Sequence, residues 1–220
     1  YQSGHADSYE DIKWHQTGPG KFNTTSTTKP VIQLDPNYET SYGYAHNTVF
    51  TDFHVRRAAY WSILTNNAAG VSYGHDAIWN WNFETGPSEG HDDWHNGKVP
   101  PWYTGLNSPG VLSMKIMTDI FANIDWMTLK PAQELLAEGK SEDPNNFVAA
   151  GINDSGIVFV YTPCGGEIVF SKNIKIPEII KVIDPATGKE KEITSKNNAV
   201  VLEKNRDNII IFNTGNSAIK

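Results

Sequence analysis

Tryptophan and histidine are confined to the first two thirds of this chain. All seven Trp lie between Trp14 and Trp126, and all seven His lie between His5 and His95. Residues 1–146 hold 9 Lys/Arg and 17 Asp/Glu, a net charge of −8, whereas residues 147–220 hold 9 Lys/Arg and 8 Asp/Glu, a net charge of +1. A polar stretch lies between the two parts. We therefore predict a first module at residues 1–138, a linker at 139–146 and a second module at 147–220.

The composition excludes several classes of protein. The longest apolar run is only a few residues, whereas a transmembrane helix needs roughly 20, so we expect no contact with a membrane. The net charge of −7 and the lack of a Lys/Arg cluster argue against binding to nucleic acid. The single cysteine, Cys164, excludes an internal disulfide and a cysteine-based zinc site, and we interpret it as a structural residue in a turn.

The second module reads as a succession of short strands. The turn sequence Asn153-Asp154-Ser155-Gly156 joins the first two of them. Strands at this spacing without a helical period predict an antiparallel β-sandwich. The predicted strands are Phe147–Ile152, Ile157–Thr162, Glu167–Phe170, Ile174–Asp184, Glu190–Thr194, Ala199–Glu203 and Asn208–Asn213.

The first module alternates strands and helices. Short strands are predicted at 30–36 and 68–75, and each ends in polar residues. A helix of about four turns is predicted from Thr51 or Asp52, and a second from Ser108, where Pro109 suits the first helical position. The apolar positions are Val55, Ala58, Ala59, Ser62 and Ile63 in the first helix, and Leu112, Ile116, Ile120 and Ile124 in the second. This alternation indicates a parallel α/β sheet, in which sites form at the carboxyl ends of the strands.

Two acids follow the first predicted strand. Asp35 stands at its end and Glu39 lies in the loop beyond Pro36. A carboxylate at such a position can act as a nucleophile or as a general acid/base. The alternative is an ordinary turn, since Asp-Pro-Asn is common turn chemistry.

Histidine and tryptophan follow the next strand. His75 comes directly after Gly74, and Trp79 and Trp81 follow within six residues. Exposed Trp rings stack on sugar faces, so this combination suits carbohydrate binding. The alternative is that both Trp residues anchor the core beneath a long loop. His5 lies in a comparable position at the N-terminus, although a lone His is more often structural.

One segment has the composition of a metal site. His91-Asp92-Asp93-Trp94-His95 holds four candidate ligands within five residues. The spacing of its two histidines aligns ligands only on a helix, and the segment lies in a Gly/Pro-rich loop, so we favour a solvated loop. No dinucleotide- or phosphate-binding motif occurs, so no cofactor is predicted.

Taken in order, these segments resemble the apiosidase-like glycoside hydrolases, a family with a (β/α)8 barrel. The barrel is often followed by a β-sandwich labelled as collagen-binding, a label that no residue of this chain supports. The Arg-Arg-Ala-Ala-Tyr-Trp and Tyr-Gly-His-x-x-Ile-Trp pieces are fairly specific. The main matching pieces are Tyr1-Gln2-Ser3-Gly4-His5, Lys29-Pro30-Val31-Ile32, Pro36-Asn37-Tyr38-Glu39, Val55-Arg56-Arg57-Ala58-Ala59-Tyr60-Trp61, Tyr73-Gly74-His75-Asp76-Ala77-Ile78-Trp79, Ser108-Pro109-Gly110 and Asp184-Pro185-Ala186-Thr187-Gly188.

The resemblance implies the C-terminal portion of a (β/α)8 barrel followed by an antiparallel β-sandwich. It implies that His5 ends the sixth barrel strand, Asp35 the seventh and His75 the eighth. Asp35 then occupies the position of the nucleophile, and Trp79 stacks on the substrate. No metal or cofactor is implied. The residues expected to bind or position the sugar are His5, Glu39, Tyr73, His75 and Trp79.

Two departures from the family pattern bear on activity. The family usually has Glu where this chain has Asp35. The Asp carboxylate lies about 1.5 Å further back, and a displacement near ~1 Å can lower a rate on the order of 10²-fold. Barrel strands one to five have no counterpart here, so we expect the acid/base, and the other barrel half as a partner, outside this chain.

The resulting hypothesis is a secreted or periplasmic bacterial glycoside hydrolase. It would cleave plant-type polysaccharide by a two-carboxylate mechanism, with this chain carrying the nucleophile side of the site. The alternative is a non-catalytic carbohydrate-binding or interaction protein that keeps only the sugar-facing surface of an incomplete barrel.

Overall fold

A computed structural model describes residues 1–3, 5, 30–43, 48–88, 98–137, 143 and 146–215. The helices are α1 (Asp52–Asn66), α2 (Asp76–Asn80) and α3 (Pro109–Ala122). The strands are β1 (Ile32–Gln33), β2 (Gly70–Val71), β3 (Lys130–Pro131), β4 (Ala149–Ile152), β5 (Ile157–Thr162), β6 (Gly166–Val169), β7 (Ile179–Ile183), β8 (Glu190–Thr194), β9 (Ala199–Leu202) and β10 (Asn208–Asn213). In the described part of the chain, no helix is long and apolar enough to cross a membrane.

Three segments of the first module run parallel to one another. β1 pairs with β2, so that Ile32 lies opposite Gly70. On the other side of β1, Gln2 forms a parallel bridge with Asp35, and the Leu34 N–H donates to the Tyr1 carbonyl at 2.9 Å. The parallel arrangement predicted for this module is therefore present, although regular strand geometry extends over only two residues in each named strand.

Helix α1 is buried on nearly every side. It starts where predicted, after Thr51, and ends at Asn66, followed by the C-cap Asn67, whose φ of 53° is left-handed. Its apolar pattern predicted a single inward face. In the structure Arg56, Tyr60 and Trp61 are buried as well, because the helix packs between the parallel strands and the antiparallel sheet.

Helix α3 also starts as predicted, with Pro109 in its first turn. Its buried positions include Ser113, Ile116, Met117 and Phe121. Leu112, which the four-residue repeat had placed on the apolar face, is exposed. Ser113 is polar and was not among the predicted apolar positions. Its side chain is nevertheless buried, and its Oγ accepts a hydrogen bond from Arg56 of α1.

A six-stranded sheet in the order β3-β4-β5-β10-β7-β8 takes β3 from the predicted first module and its other five strands from the second. The second module also contains a two-stranded sheet of β6 and β9, and the pairing in both sheets is antiparallel. The predicted turn between β4 and β5 is confirmed, with Gly156 at φ 76°. The strand predicted at 174–184 is shorter, because Pro177 lacks the N–H that a ladder needs. Much of the predicted linker falls outside the described residues, and the domain boundaries stay a prediction.

The central strands β4, β5 and β10 of the six-stranded sheet are buried on both faces. In β5, Val158 and Val160 point into a core shared with β6 and β9, whereas Phe159 and Tyr161 point toward α1 and α3. The ring of Tyr161 stacks on Tyr60 of α1, with centroids 4.8 Å apart, and aromatic pairs of this kind contribute about 0.5–1.5 kcal/mol beyond their buried area. The sheet therefore supports the helices of the first module directly.

A buried ion pair crosses this interface. Arg56 of α1 donates from Nε to Asp207 Oδ2 at 2.9 Å and from Nη2 to Asp207 Oδ1 at 3.3 Å. Its Nη1 donates to Ser113 Oγ of α3 at 3.1 Å and also contacts Asp52. Burial alone lowers the pKa of Arg56, but bonds and charge from Asp207 and Asp52 raise it above its ordinary value. Arg56 thus ties α1 and α3 to the loop before β10.

Removing Asp207 should destabilise the protein strongly. In Asp207→Ala the Arg56 charge stays buried without its main partner, and breaking a buried pair in this way costs about 3–5 kcal/mol. Asp154→Ala is the matched control, because Asp154 pairs with Lys130 on the surface at 2.9 Å. Exposed pairs are worth about 0.2–1 kcal/mol. Urea unfolding of both variants makes the comparison, and equal losses would contradict the structural role given to Asp207.

Candidate active site

The candidate site lies where the parallel segments end. Asp35 follows β1, and Tyr73 and His75 follow β2. Glu39 forms a parallel bridge with His75, and its N–H donates to the Gly74 carbonyl at 2.9 Å. The backbone therefore brings together two loops that are more than thirty residues apart in the sequence.

Asp35 is half-buried and has a tyrosine hydroxyl as its partner. The Tyr38 side chain hydrogen-bonds to Asp35, and a phenol beside a carboxylate is the donor. Burial, together with the charge of Asp35 and this hydrogen bond, raises the pKa of Tyr38 to about 12. Tyr38 is therefore a neutral donor that orients the Asp35 carboxylate, and Asp35 stays partly exposed to solvent.

Glu39 is held far more tightly. It is 4% exposed, and its Oε2 accepts from the Tyr73 hydroxyl at 2.8 Å and from the Gly110 N–H at 2.9 Å. Gly110 lies in the first turn of α3, where free N–H groups and the helix dipole favour a negative charge. Burial, and to a lesser extent its bond to Glu39, keeps the pKa of Tyr73 above its ordinary value, while a bond with Ser108 works against this shift. Both donors therefore fix Glu39 in place.

Two glycines permit this close packing. A Cβ at Gly110 would lie 2.2 Å from Glu39 Oε2 and 2.9 Å from the Tyr73 ring. A Cβ at Gly74 would lie 2.2 Å from the Tyr38 ring. Side chains at either position would displace groups that contact one of the two acids.

His75 is buried, and its burial favours the neutral form of the imidazole ring. Its Nδ1 accepts from the Ala77 N–H at 3.1 Å, which leaves the ring proton on Nε2. Burial lowers the pKa of His75, although the charges of Glu39 and Asp76 oppose this shift. At neutral pH the residue can thus offer an N–H to a substrate oxygen.

His5 and Trp79 approach the site through Tyr38. The His5 ring lies 5.1 Å from the Tyr38 ring, and burial lowers its pKa while Asp35 and Asp76 raise it. The Trp79 ring meets Tyr38 edge-on at 6.0 Å and is 56% exposed. The alternative that Trp79 and Trp81 are core anchors is wrong, because both are exposed. All six residues predicted for the site thus lie in one region.

Tyr38 and Gly110 were not singled out by the sequence reasoning. Tyr38 stands within the Pro-Asn-Tyr-Glu piece, so its spacing of three residues from Asp35 was the available signal. Gly110 follows a recognised helix start, but nothing in the sequence indicates that this helix meets Glu39, 71 residues earlier. The segment His91-Asp92-Asp93-Trp94-His95 lies outside the described residues, and the described residues contain no cluster suited to a metal ion.

A family model for the apiosidase-like catalytic domain matches residues 1–128, more than half of the chain. The chain belongs to the apiosidase-like family. A comparison with curated proteins gives no match. The family match leaves the roles of individual side chains to be tested.

Solved glycoside hydrolases share the fold of this apiosidase-like chain. A structure titled "Glycoside hydrolase" is 21% identical in sequence, with a TM-score of 0.77. The match includes all of this chain and 53% of the length of that protein. A glycoside hydrolase family 5 structure from Bacteroides vulgatus ATCC 8482 is 20% identical, with a TM-score of 0.76. The match includes all of this chain and 50% of the length of that protein. This chain therefore spans about half the length of these proteins.

Alanine at Gly110 should destabilise the apiosidase-like domain, although alanine favours helices. The added Cβ collides with Glu39 and Tyr73, and overpacking of this kind costs about 1–3 kcal/mol. Gly86→Ala is the control, because a Cβ there meets only the Glu84 carbonyl at 4.0 Å. Chemical unfolding measures both variants. A Gly110→Ala protein as stable as the control would show that Glu39 is not held at this helix start.

Tyr38 should titrate abnormally, and Asp35 should be part of the reason. The raised pKa means that Tyr38 contributes stability below pH 10, which is lost as the pH rises from 10 to about 12. Difference ultraviolet titration against Tyr38→Phe isolates this phenol. In Asp35→Asn the charge is gone, so the pKa of Tyr38 should move back toward 10. An unchanged midpoint in Asp35→Asn would contradict the contact.

Proposed function

We propose that this chain is the C-terminal portion of a glycoside hydrolase barrel followed by a β-sandwich. The parallel segments ending at His5, Asp35 and His75 would be barrel strands six to eight. The two antiparallel sheets that share one core would form the sandwich. The match to only about half of each related structure supports the view that this chain is a portion of a longer fold. The sandwich would then brace the barrel through α1 and α3.

The reaction would use Asp35 as the nucleophile of a two-carboxylate mechanism. Its carboxylate would attack the anomeric carbon while an acid outside this chain protonates the departing glycosidic oxygen, giving a covalent glycosyl ester. The conjugate base of that same acid would then activate a water molecule, which hydrolyses the ester and releases the sugar. The observation that carries this assignment is the contrast between the acids: Asp35 is half-buried with Tyr38 beside it, whereas Glu39 is buried and bound by two donors.

The remaining residues would position the substrate and the nucleophile. Glu39 holds Tyr73 against the start of α3, and His75 can donate from Nε2 to a sugar hydroxyl. His5 would help to orient Asp35, to whose charge it is coupled. Trp79, exposed beside Tyr38, would stack on a sugar ring.

The substrate is proposed to be a plant-type polysaccharide or an oligosaccharide derived from it. A polymer cannot cross a bacterial membrane intact, so we place the enzyme outside the cytoplasm, secreted or periplasmic. The alternative of a non-catalytic carbohydrate-binding protein is retained because Asp35 is one methylene shorter than the Glu usual in the family.

Substitution of Asp35 in the natural full-length chain tests the mechanism. Asp35→Asn should lower kcat about 10⁴-fold or more, because the nucleophile is lost. Asp35→Glu should be at least as active as the parent, since it extends the carboxylate toward the family's usual position. Asp154→Asn makes the same chemical change at a surface ion pair and should leave kcat unchanged.

Hydrolysis of neutral plant oligosaccharides by each variant supplies the measurement. Full activity in Asp35→Asn would eliminate Asp35 as the nucleophile. Binding without hydrolysis in the parent and in Asp35→Glu would instead establish the non-catalytic function.

A further inference from the structure

A second aromatic surface lies beside the candidate site. The indoles of Trp81 and Trp102 stack with centroids 4.7 Å apart and planes 13° apart, and Tyr103 meets Trp102 edge-on at 6.0 Å. Trp81 is 53% exposed and Tyr103 is 54% exposed. We name Trp81, Trp102 and Tyr103 the aromatic platform. Exposed apolar patches of this kind mark binding surfaces more often than isolated apolar residues do.

The backbone holds the aromatic platform in place. Trp81 caps α2 in a left-handed conformation, with φ 58°, and its N–H donates to the Ala77 carbonyl at 3.0 Å. The Trp102 N–H donates to the Asn82 carbonyl at 2.8 Å, at the start of the 3₁₀ helix Trp102–Asn107. The two rings are therefore presented by fixed elements, which lowers the entropy cost of binding a ligand.

The same two elements build the candidate site. His75 is the N-cap of α2, and Trp81 is its C-cap. Gly105 of the 3₁₀ helix packs so closely on His75 that a Cβ there would lie 2.8 Å from Nδ1. The aromatic platform is thus continuous with the site through one short helix and one 3₁₀ helix.

We propose that the aromatic platform is a second saccharide subsite, which binds a sugar unit of a neutral chain beyond the unit at Asp35. This inference rests on the proposed function. The exposed indole of Trp81 offers a flat apolar face that suits the C–H face of a sugar ring. A cleft of about 510 Å³ lined by residues 80–87 adjoins it, within the range of ~300–1,000 Å³ typical of ligand sites. Asn82, Glu84 and Thr85 supply polar groups for hydroxyls along this cleft.

Binding in the full-length Asp35→Asn variant tests the subsite without turnover. The probes are cello-, xylo- and manno-oligosaccharides of two to six units, titrated by calorimetry. In at least one series affinity should rise with length, and Trp81→Ala should weaken binding of the longest member about tenfold, an effect in the range of one aromatic contact. Binding of the shortest member should stay unchanged.

Two further variants keep the result interpretable. Trp81→Asn should behave like Trp81→Ala, and Asn tolerates the left-handed cap conformation. Trp126→Ala should have no effect, because this exposed Trp follows the far end of α3, a helix about 21 Å long. The proposal is overturned if no series binds, if Trp81→Ala leaves the longest probe unaffected, or if it weakens the shortest equally.

Other outcomes distinguish saccharide binding from self-association and from the role proposed for Asp35. Self-association of the parent in sedimentation velocity that Trp81→Ala abolishes would mean that a second copy covers the aromatic platform, and would overturn the saccharide assignment. Undiminished hydrolysis in Asp35→Asn would overturn the proposed nucleophile alone, and the binding comparison of the Trp81 variants would still decide the subsite.

Discussion

The buried pair of Arg56 and Asp207 is the constraint on which the arrangement of the two modules depends. A buried guanidinium without a partner is costly, so the loop before β10 must stay beside α1. The same guanidinium bonds to Ser113, which fixes α3, and the first turn of α3 supplies the N–H that binds Glu39. The antiparallel sheet is thereby linked to the candidate site through two helices and one carboxylate.

Two acids four residues apart have different environments at this site. Glu39 is enclosed by Tyr73 and the start of α3, so both of its bonds serve to hold the loop. Asp35 has a neutral phenol beside it and remains partly open. A reacting carboxylate needs access to the sugar and a fixed orientation, and of the two only Asp35 combines both. The proposed enzyme and the non-catalytic alternative differ in whether the shorter side chain of Asp35 can still act as the nucleophile.

Local patterns predicted much of this fold, and long-range contacts account for what they missed. The start of α1 and the turn at Gly156 were predicted from local residue patterns, and the parallel order of the first segments from the alternation of strands and helices. The burial of Arg56 could not be predicted, because it depends on Asp207, 151 residues away. The positions of Asp35, Glu39 and His75 after predicted strands marked them as candidates, and the family resemblance supplied the expected roles. The contact of Gly110 with Glu39 joins residues 71 apart, which no local spacing indicates.

The central claim is that Asp35, rather than Glu39, forms the bond to the sugar. It is tested most directly by treating the full-length protein with 2-deoxy-2-fluoroglycosyl fluorides, which trap the covalent intermediate of a retaining glycosidase without needing strong acid assistance. Peptide mapping by mass spectrometry then locates the ester. The account predicts a stoichiometric label on Asp35. A label on Glu39, or on a carboxylate elsewhere in the chain, would contradict it.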